Sequence, residues 1–98
     1  MILVIGNVII QNGRLPEAIA LSQEHVARSR TEPGCKAHAV HQDTENPNRL
    51  VFVEQWSDQA ALAEHFNVPA ARAFVRALSA LATAPPSMSI YEATELRP

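Results

Sequence analysis

Residues 35–56, CKAHAVHQDTENPNRLVFVEQW, are two apolar runs joined by a polar turn. Cys35 to Gln42 alternates small apolar with polar side chains, the period of a half-exposed strand. Asp43-Thr44-Glu45-Asn46-Pro47-Asn48 is made of turn formers, and Arg49 to Trp56 returns to strand composition. The spacing predicts two adjacent antiparallel strands. Immediately before them, Glu32-Pro33-Gly34 breaks the chain, because Pro33 disfavours helical backbone at Glu32 and Gly34 tolerates positive φ.

Working outward, the segment ahead of that break has helical period. Leu15, Ala18, Ile19, Ser22, His25, Val26 and Ser29 share one face, and Glu17, Gln23, Glu24, Arg28 and Arg30 take the other. A helix is expected to about Thr31, with Pro16 in its first turn and Glu17 near the positive end of its dipole. Before it, Ile2 to Gln11 is a β-rich run stopped by Asn12-Gly13. The opening MILVIGNVII is apolar, but it has no basic n-region and no cleavage signal, and Gly6-Asn7 interrupts it well short of a membrane span. It reads as a buried strand.

Beyond the hairpin, Ser57 or Asp58 caps a second helix whose apolar face holds Ala61, Leu62, His65 and Phe66. Pro69 interrupts it, and the pattern resumes through Ala73, Phe74, Ala77, Leu78 and Leu81. Thr83-Ala84-Pro85-Pro86 ends the helical region, and Ser87 to Glu95 reads as a last strand. The order βαββαβ predicts an α+β, ferredoxin-like domain over residues 1–98: an antiparallel four-stranded sheet with its helices on one face. The first strand, however, is apolar on both sides, with Ile2, Val4, Val8 and Ile10 on one and Leu3, Ile5 and Ile9 on the other. Two helices cover only one face, so the other is expected to pack on a second copy, as a homodimer.

Composition narrows the function. The chain is 47% hydrophobic and 18% charged, within globular usage, and its net charge of −2 gives no field to gather nucleic acid or an anionic membrane. An RNA-recognition module shares this element order, but it needs stacking aromatics on the central strands, and the first strand has none. The single cysteine, Cys35, forms no internal disulfide and fits a reducing cytoplasm, most simply as a small buried hydrophobe. No Cys/His run has metal-site spacing, and His38 and His41, three apart on one strand, point to opposite faces. His25 is expected at a rim or on the surface.

Several features recur together: Glu32-Pro33-Gly34-Cys35 after the first helix, and Gln42-Asp43 before Asn46-Pro47-Asn48. Phe52-Val53-Glu54-Gln55-Trp56 comes next, followed by Ala60, Leu62 and His65, and Phe74 lies after the Pro69 break. In this order they resemble the antibiotic biosynthesis monooxygenase (ABM) family, in particular its quinol monooxygenase-like branch, over almost the whole chain. The resemblance implies a dimeric α+β barrel with a pocket between sheet and helices. It also implies oxidation of a small electron-rich aromatic, such as a quinol, anthrone or polyphenol, by O₂ to a quinone. No metal, flavin or other cofactor takes part in such a reaction, because the deprotonated substrate supplies the electrons. A non-catalytic small-molecule-binding dimer of the same fold is the alternative.

The site residues that follow are His65, Asn7 and Trp56 as catalytic candidates, and Glu54, Phe52, Phe66, Phe74 and Tyr91 as pocket walls. His65 lies on the apolar side of its helix, where an imidazole can accept a phenolic proton or simply be a satisfied core group. Asn7 needs partners for its amide, either substrate or nearby backbone. Trp56 closes the third strand and can line a pocket or fill core. Glu54 shares the Phe52 and Trp56 face by period two, and Arg49 is a possible ion partner. Two departures stand out: many quinol-oxidising relatives carry a His where this chain has Ala70, and the iron-ligating His of haem-degrading relatives falls at Val75. Haem is therefore not carried over.

Overall fold

A computed structural model describes residues 1–97. Seven elements follow one another: β1 (Ile2–Ile9), α1 (Leu15–Ser29), β2 (Cys35–Gln42), β3 (Arg49–Trp56), α2 (Gln59–Asn67), α3 (Pro69–Leu81) and β4 (Ser87–Glu92). The strands form one antiparallel sheet in the order β2-β3-β1-β4. The two central strands align Ile2 with Trp56 and Ile9 with Arg49. This is the ferredoxin-like α+β plan expected from the element order, with the second helical region split at Pro69.

Period two decides which face meets the helices. Ile2, Val4 and Val8 of β1 and Leu50, Phe52, Glu54 and Trp56 of β3 are buried, and their sequence neighbours are half-exposed. Two apolar clusters form on the buried side. The larger joins Val8, Leu50 and Phe52 to Ala18 and Val26 of α1 and Leu78 and Leu81 of α3. The smaller holds Ile2, Val4, Trp56 and Leu62 beneath α2. At roughly 25 cal/mol per Å² of apolar surface, these clusters supply the main stabilising force of the domain.

Local chemistry sets the ends. The Asp58 carboxylate accepts from the Ala61 N–H at 2.8 Å and caps α2. Pro69 opens α3, where its missing N–H costs nothing. α1 stops at Ser29 rather than Thr31, its end tightened by Thr31 N–H to Arg28 and Glu32 N–H to Ser29 bonds. β1 stops at Ile9 rather than Gln11, because Ile10 bridges to Ala82 and the Gln11 N–H donates to the Leu81 carbonyl. β4 ends at Glu92, not Glu95: Ala93 still exchanges hydrogen bonds with Met1, at 2.8 and 3.0 Å, but there the chain begins, and Thr94 and Glu95 have nothing opposite them.

Gly34 has φ +81° at the corner between α1 and β2, and its carbonyl accepts from the Ser57 N–H at 2.8 Å. A Cβ there would lie 2.5 Å from Ala61 Cβ and 2.7 Å from Ser57 Oγ, whereas at Gly13 (φ +84°) it would meet nothing within 4 Å. Gly13→Ala is therefore expected to cost only the backbone strain, about 1 kcal/mol, and Gly34→Ala that strain plus overlap, on the order of 2–3 kcal/mol. Urea midpoints at unchanged m-value read the difference; equal losses would contradict it.

Candidate functional site

Four elements bring their polar side chains to one place under the helices. α1 turns His25 inward because it lies on the same face as Ser22, Val26 and Ser29, all buried. β2 directs His38 to the helical side opposite Glu54 of β3. α2 buries His65 beside Leu62. The ring centroids of His25 and His38 are 5.2 Å apart, those of His25 and His65 5.4 Å, and those of His38 and His65 5.8 Å.

Two carboxylates frame this cluster. Glu32, at the corner before Pro33, accepts a hydrogen bond from His65 Nδ1 at 2.8 Å and from the Arg28 guanidinium at 3.0 Å. Arg28 also donates to His25 Nδ1 at 2.8 Å, so the proton of a neutral His25 ring resides on Nε2. Glu54 accepts from the Trp56 indole N–H at 3.0 Å and lies 3.3 Å from His38 Nε2. That last contact is misaligned for a hydrogen bond, which leaves both ring nitrogens of His38, a residue only 2% exposed, without a bonded partner.

Burial is the largest influence on His25 and disfavours its cation; His38, His65 and Arg28 add repulsion, Glu54 opposes them, and its pKa falls to about 3. Burial acts the other way on Glu54 and would raise it, but His38 and the Trp56 N–H outweigh burial and hold the carboxyl below its usual range. Burial, then the nearby Glu32 and Glu54 charges, pushes the Cys35 thiol up, away from thiolate chemistry.

Beside the cluster a cavity of about 530 Å³ opens between the sheet and α3. His25, Glu54 and His65 contribute to its polar wall, together with Arg72 and Arg76 of α3, and Phe52, Phe66 and Phe74 to its apolar one. Phe74 stacks on His25 with centroids 4.0 Å apart and planes 7° from parallel. The volume and mixed lining suit a small aromatic molecule.

Of the residues expected at the site, His65, Glu54, Phe52, Phe66 and Phe74 come together around the cavity. Trp56 does not line it: fully buried, it is core that carries Glu54 on its N–H and His65 on its ring, at 4.6 Å. Tyr91 pairs with Leu3 on the face away from the helices and is 50% exposed. The Asn7 residue borders the cavity, but its amide oxygen is held by Arg49, and its parity puts the side chain on the far face with Ile5 and Ile9. Arg49 itself pairs with Asp43 at 2.8 Å, not with Glu54, because it belongs to that far face. His25 is buried rather than at a rim, as its place on the inner face of α1 implied. His38 and Glu32 were not singled out by spacing; only the fold joins them to His65.

A family model for antibiotic biosynthesis monooxygenases matches residues 1–77. The chain belongs to that family. A relative from Synechocystis, an uncharacterized protein, is 36% identical over 94 residues, which cover 96% of this chain. The chain spans 64% of that relative's length. Among solved structures, an antibiotic biosynthesis monooxygenase at 27% identity superposes with a TM-score of 0.90 over 97% of this chain and 100% of its own. PA3566 from Pseudomonas aeruginosa, at 26% identity, gives 0.85 over 96% and 94%. SnoaB, a cofactor-independent oxygenase from Streptomyces nogalater, shares the fold at 20% identity, with a TM-score of 0.86 over 99% and 96%. Within this ABM fold, the polar cluster occupies the sheet side of α1 and α2, next to the aromatic cavity.

The depressed His25 pKa sets a pH dependence. The unfolded ring takes up a proton below about 6.5, and the folded one resists until about 3, so stability falls as pH drops through that window. In chelator-treated protein, urea unfolding is expected to weaken between pH 6.5 and 5, this group contributing up to about 1.4 kcal/mol per pH unit. His25→Phe, which keeps a ring against Phe74, is expected to remove that contribution; an unchanged slope would refute the assignment.

Proposed function

We propose that this ABM protein is a monooxygenase that oxidises a small electron-rich aromatic, a quinol, anthrone or polyphenol, with O₂ as oxidant. The observation that carries the reading is His65: a buried imidazole at the wall of an aromatic cavity, with Nδ1 held by Glu32. When the ring is neutral, that hydrogen bond leaves the lone pair on Nε2, where it can accept the substrate's acidic proton. The fold shared with SnoaB, a cofactor-independent oxygenase, supports a reaction in which the substrate supplies the electrons.

For an anthrone the steps balance as follows. His65 takes a proton from the activated CH₂, and the carbanion gives one electron to O₂. The resulting radical and superoxide combine to form a C–O bond, giving a peroxide. Loss of the second C–H proton and cleavage of O–O then release water and leave a carbonyl. Phe52, Phe66 and Phe74 hold the rings and exclude bulk water from the intermediate. Trp56 and Glu32 act through His65 as positioning residues.

The same reading includes a homodimer. Leu3, Ile5, Val51 and Val53 form a continuous apolar strip on the sheet face opposite the helices, bordered by Tyr91. All six residues of β4 are exposed in the single chain. Covering this face with the same face of a second copy buries the strip and the β4 residues that share its side, Ser87, Ser89 and Tyr91. No helix among the described residues is long and apolar enough to cross a membrane. We place the protein in the cytoplasm on the strength of its lone free thiol.

Purified protein incubated with a panel of quinols and anthrones is expected to raise oxygen uptake above buffer, and His65→Ala to lower kcat by about a hundredfold or more. No acceleration with any member of the panel would sink the oxygenase reading. Sedimentation at micromolar concentration is expected to give a dimer, converted to monomer by Val53→Asp; a wild-type monomer would remove that part of the proposal.

A further inference from the structure

The three buried imidazoles form a triangle whose size is informative. Rings bound through nitrogen to one tetrahedral transition-metal ion, at roughly 2.0–2.1 Å, have centroids about 5 Å apart. Here the three separations are 5.2, 5.4 and 5.8 Å, with ring planes inclined at 79°, 50° and 60° like the blades of a propeller. One nitrogen from each of His25, His38 and His65 lies within 4.8 Å of the other two. Closing that spacing to the separation a shared ion requires is a shift of about 1 Å or more, within reach of χ rotations.

A second observation is independent of the triangle. His38 Nδ1 is buried with no partner, and Nε2 has only the misaligned Glu54 carboxylate at 3.3 Å; a buried polar group without a partner costs on the order of 1–3 kcal/mol. An ion among the three rings would satisfy it. The surroundings also match what imidazole ligands need behind them. Glu32 accepts the proton of His65 Nδ1, freeing the other nitrogen and fixing the ring, and Glu54 lies against His38. Two carboxylates, Glu32 and Glu54, face two guanidiniums, Arg28 and the Arg30 that donates to the His38 carbonyl at 2.9 Å, so the dication's charge is carried by neutral imidazoles in a locally balanced setting.

We infer that His25, His38 and His65 form a three-imidazole site for a divalent first-row transition-metal ion, with Glu32 and Glu54 behind the ligands and the cavity beside an open coordination position. Neutral imidazoles favour ions such as Zn²⁺, Cu²⁺, Ni²⁺ and Co²⁺ over Ca²⁺ or Mg²⁺. Ligation through His25 Nε2 moves the ring proton to Nδ1, where it displaces the hydrogen bond from Arg28; Arg28 keeps Glu32. No oxidation-state change is involved. One nitrogen of His65 cannot hold both an ion and a substrate proton, so ion and proton compete there. The inference does not rest on the oxygenase reading, and it is tested without substrate.

Tag-free chain stripped with chelator and then dialysed is titrated with Co²⁺ and Zn²⁺. The expected result is one Co²⁺ per chain, with the intense visible absorption of a four- or five-coordinate site, displaced by Zn²⁺. His38→Phe is expected to abolish it, and Glu32→Gln to weaken it about ten- to a hundredfold. His41→Ala, on the exposed opposite side of β2, is expected to leave it unchanged. Should His38→Phe not fold, as judged by circular dichroism, His25→Phe, stacked on Phe74, supplies the same test. No saturable uptake, uptake that survives loss of a ring, or loss in His41→Ala would overturn the site.

Discussion

The Glu32 carboxylate ties the molecule together at its most polar point. It takes Arg28 from the end of α1 on one oxygen and His65 from α2 on the other, at 3.0 and 2.8 Å. Two residues on, Gly34 turns the chain with positive φ and lets the start of α2 approach so closely that a methyl group would not fit. A polar bond and a steric requirement thus act on the same corner, one fixing the imidazole and the other the helix that carries it. A largely covered carboxylate is costly to desolvate unless its partners are well placed, so this arrangement favours one relative position of α1 and α2 over others.

That corner also explains why the fold was more legible than the site. Strand and helix periods are local, and residues such as Ile2, Val4, Phe52 and Trp56, or Ala18, Val26 and Leu78, announce their faces within a few neighbours. The corrections at element ends are of one kind: Ile10 and Gln11 leave the sheet for the end of α3, and Glu95 has no partner strand. Site geometry is non-local. His25, His38 and His65 belong to three elements, and spacing along the chain carries no trace of their meeting. His25 did carry a local signal, its position between Ser22 and Val26 on the inner face. The place of Tyr91 on the far face was not legible, because parity in a strand says which residues share a side, but not which side faces the helices; Asn7 borders the cavity while its side chain is held by Arg49, which sits five residues from Glu54 and so on the opposite side.

Once that side is known, the sheet divides its labour by a single residue step. Glu54 points to the helices, where Trp56 and His38 meet it. Val53, one residue earlier, points to the other face and lies between Ile5 and Ala39 in register. Polar chemistry and apolar association are therefore built from the same strand without competing for the same surface. A register slip of one residue would exchange the two, turning Glu54 outward and burying Arg49, which is a strong energetic reason for β3 to keep its pairing.

Trp56 illustrates how such a site is held without taking part in it. Its indole is fully buried in the smaller apolar cluster, so its position is set by packing against Ile2, Val4 and Leu62. From there its N–H orients Glu54, its face supports His65, and its edge meets His38 at 6.3 Å. A rigid hydrophobic anchor thereby fixes three polar groups whose burial would otherwise be opposed by desolvation. Trp56 borders Glu54, His38 and His65 but not His25. His25 is held instead from the other end, between the Arg28 guanidinium and the ring of Phe74. The cavity's polar wall is thus fixed to the sheet through Trp56 and Glu54, and to α1 and α3 through His25.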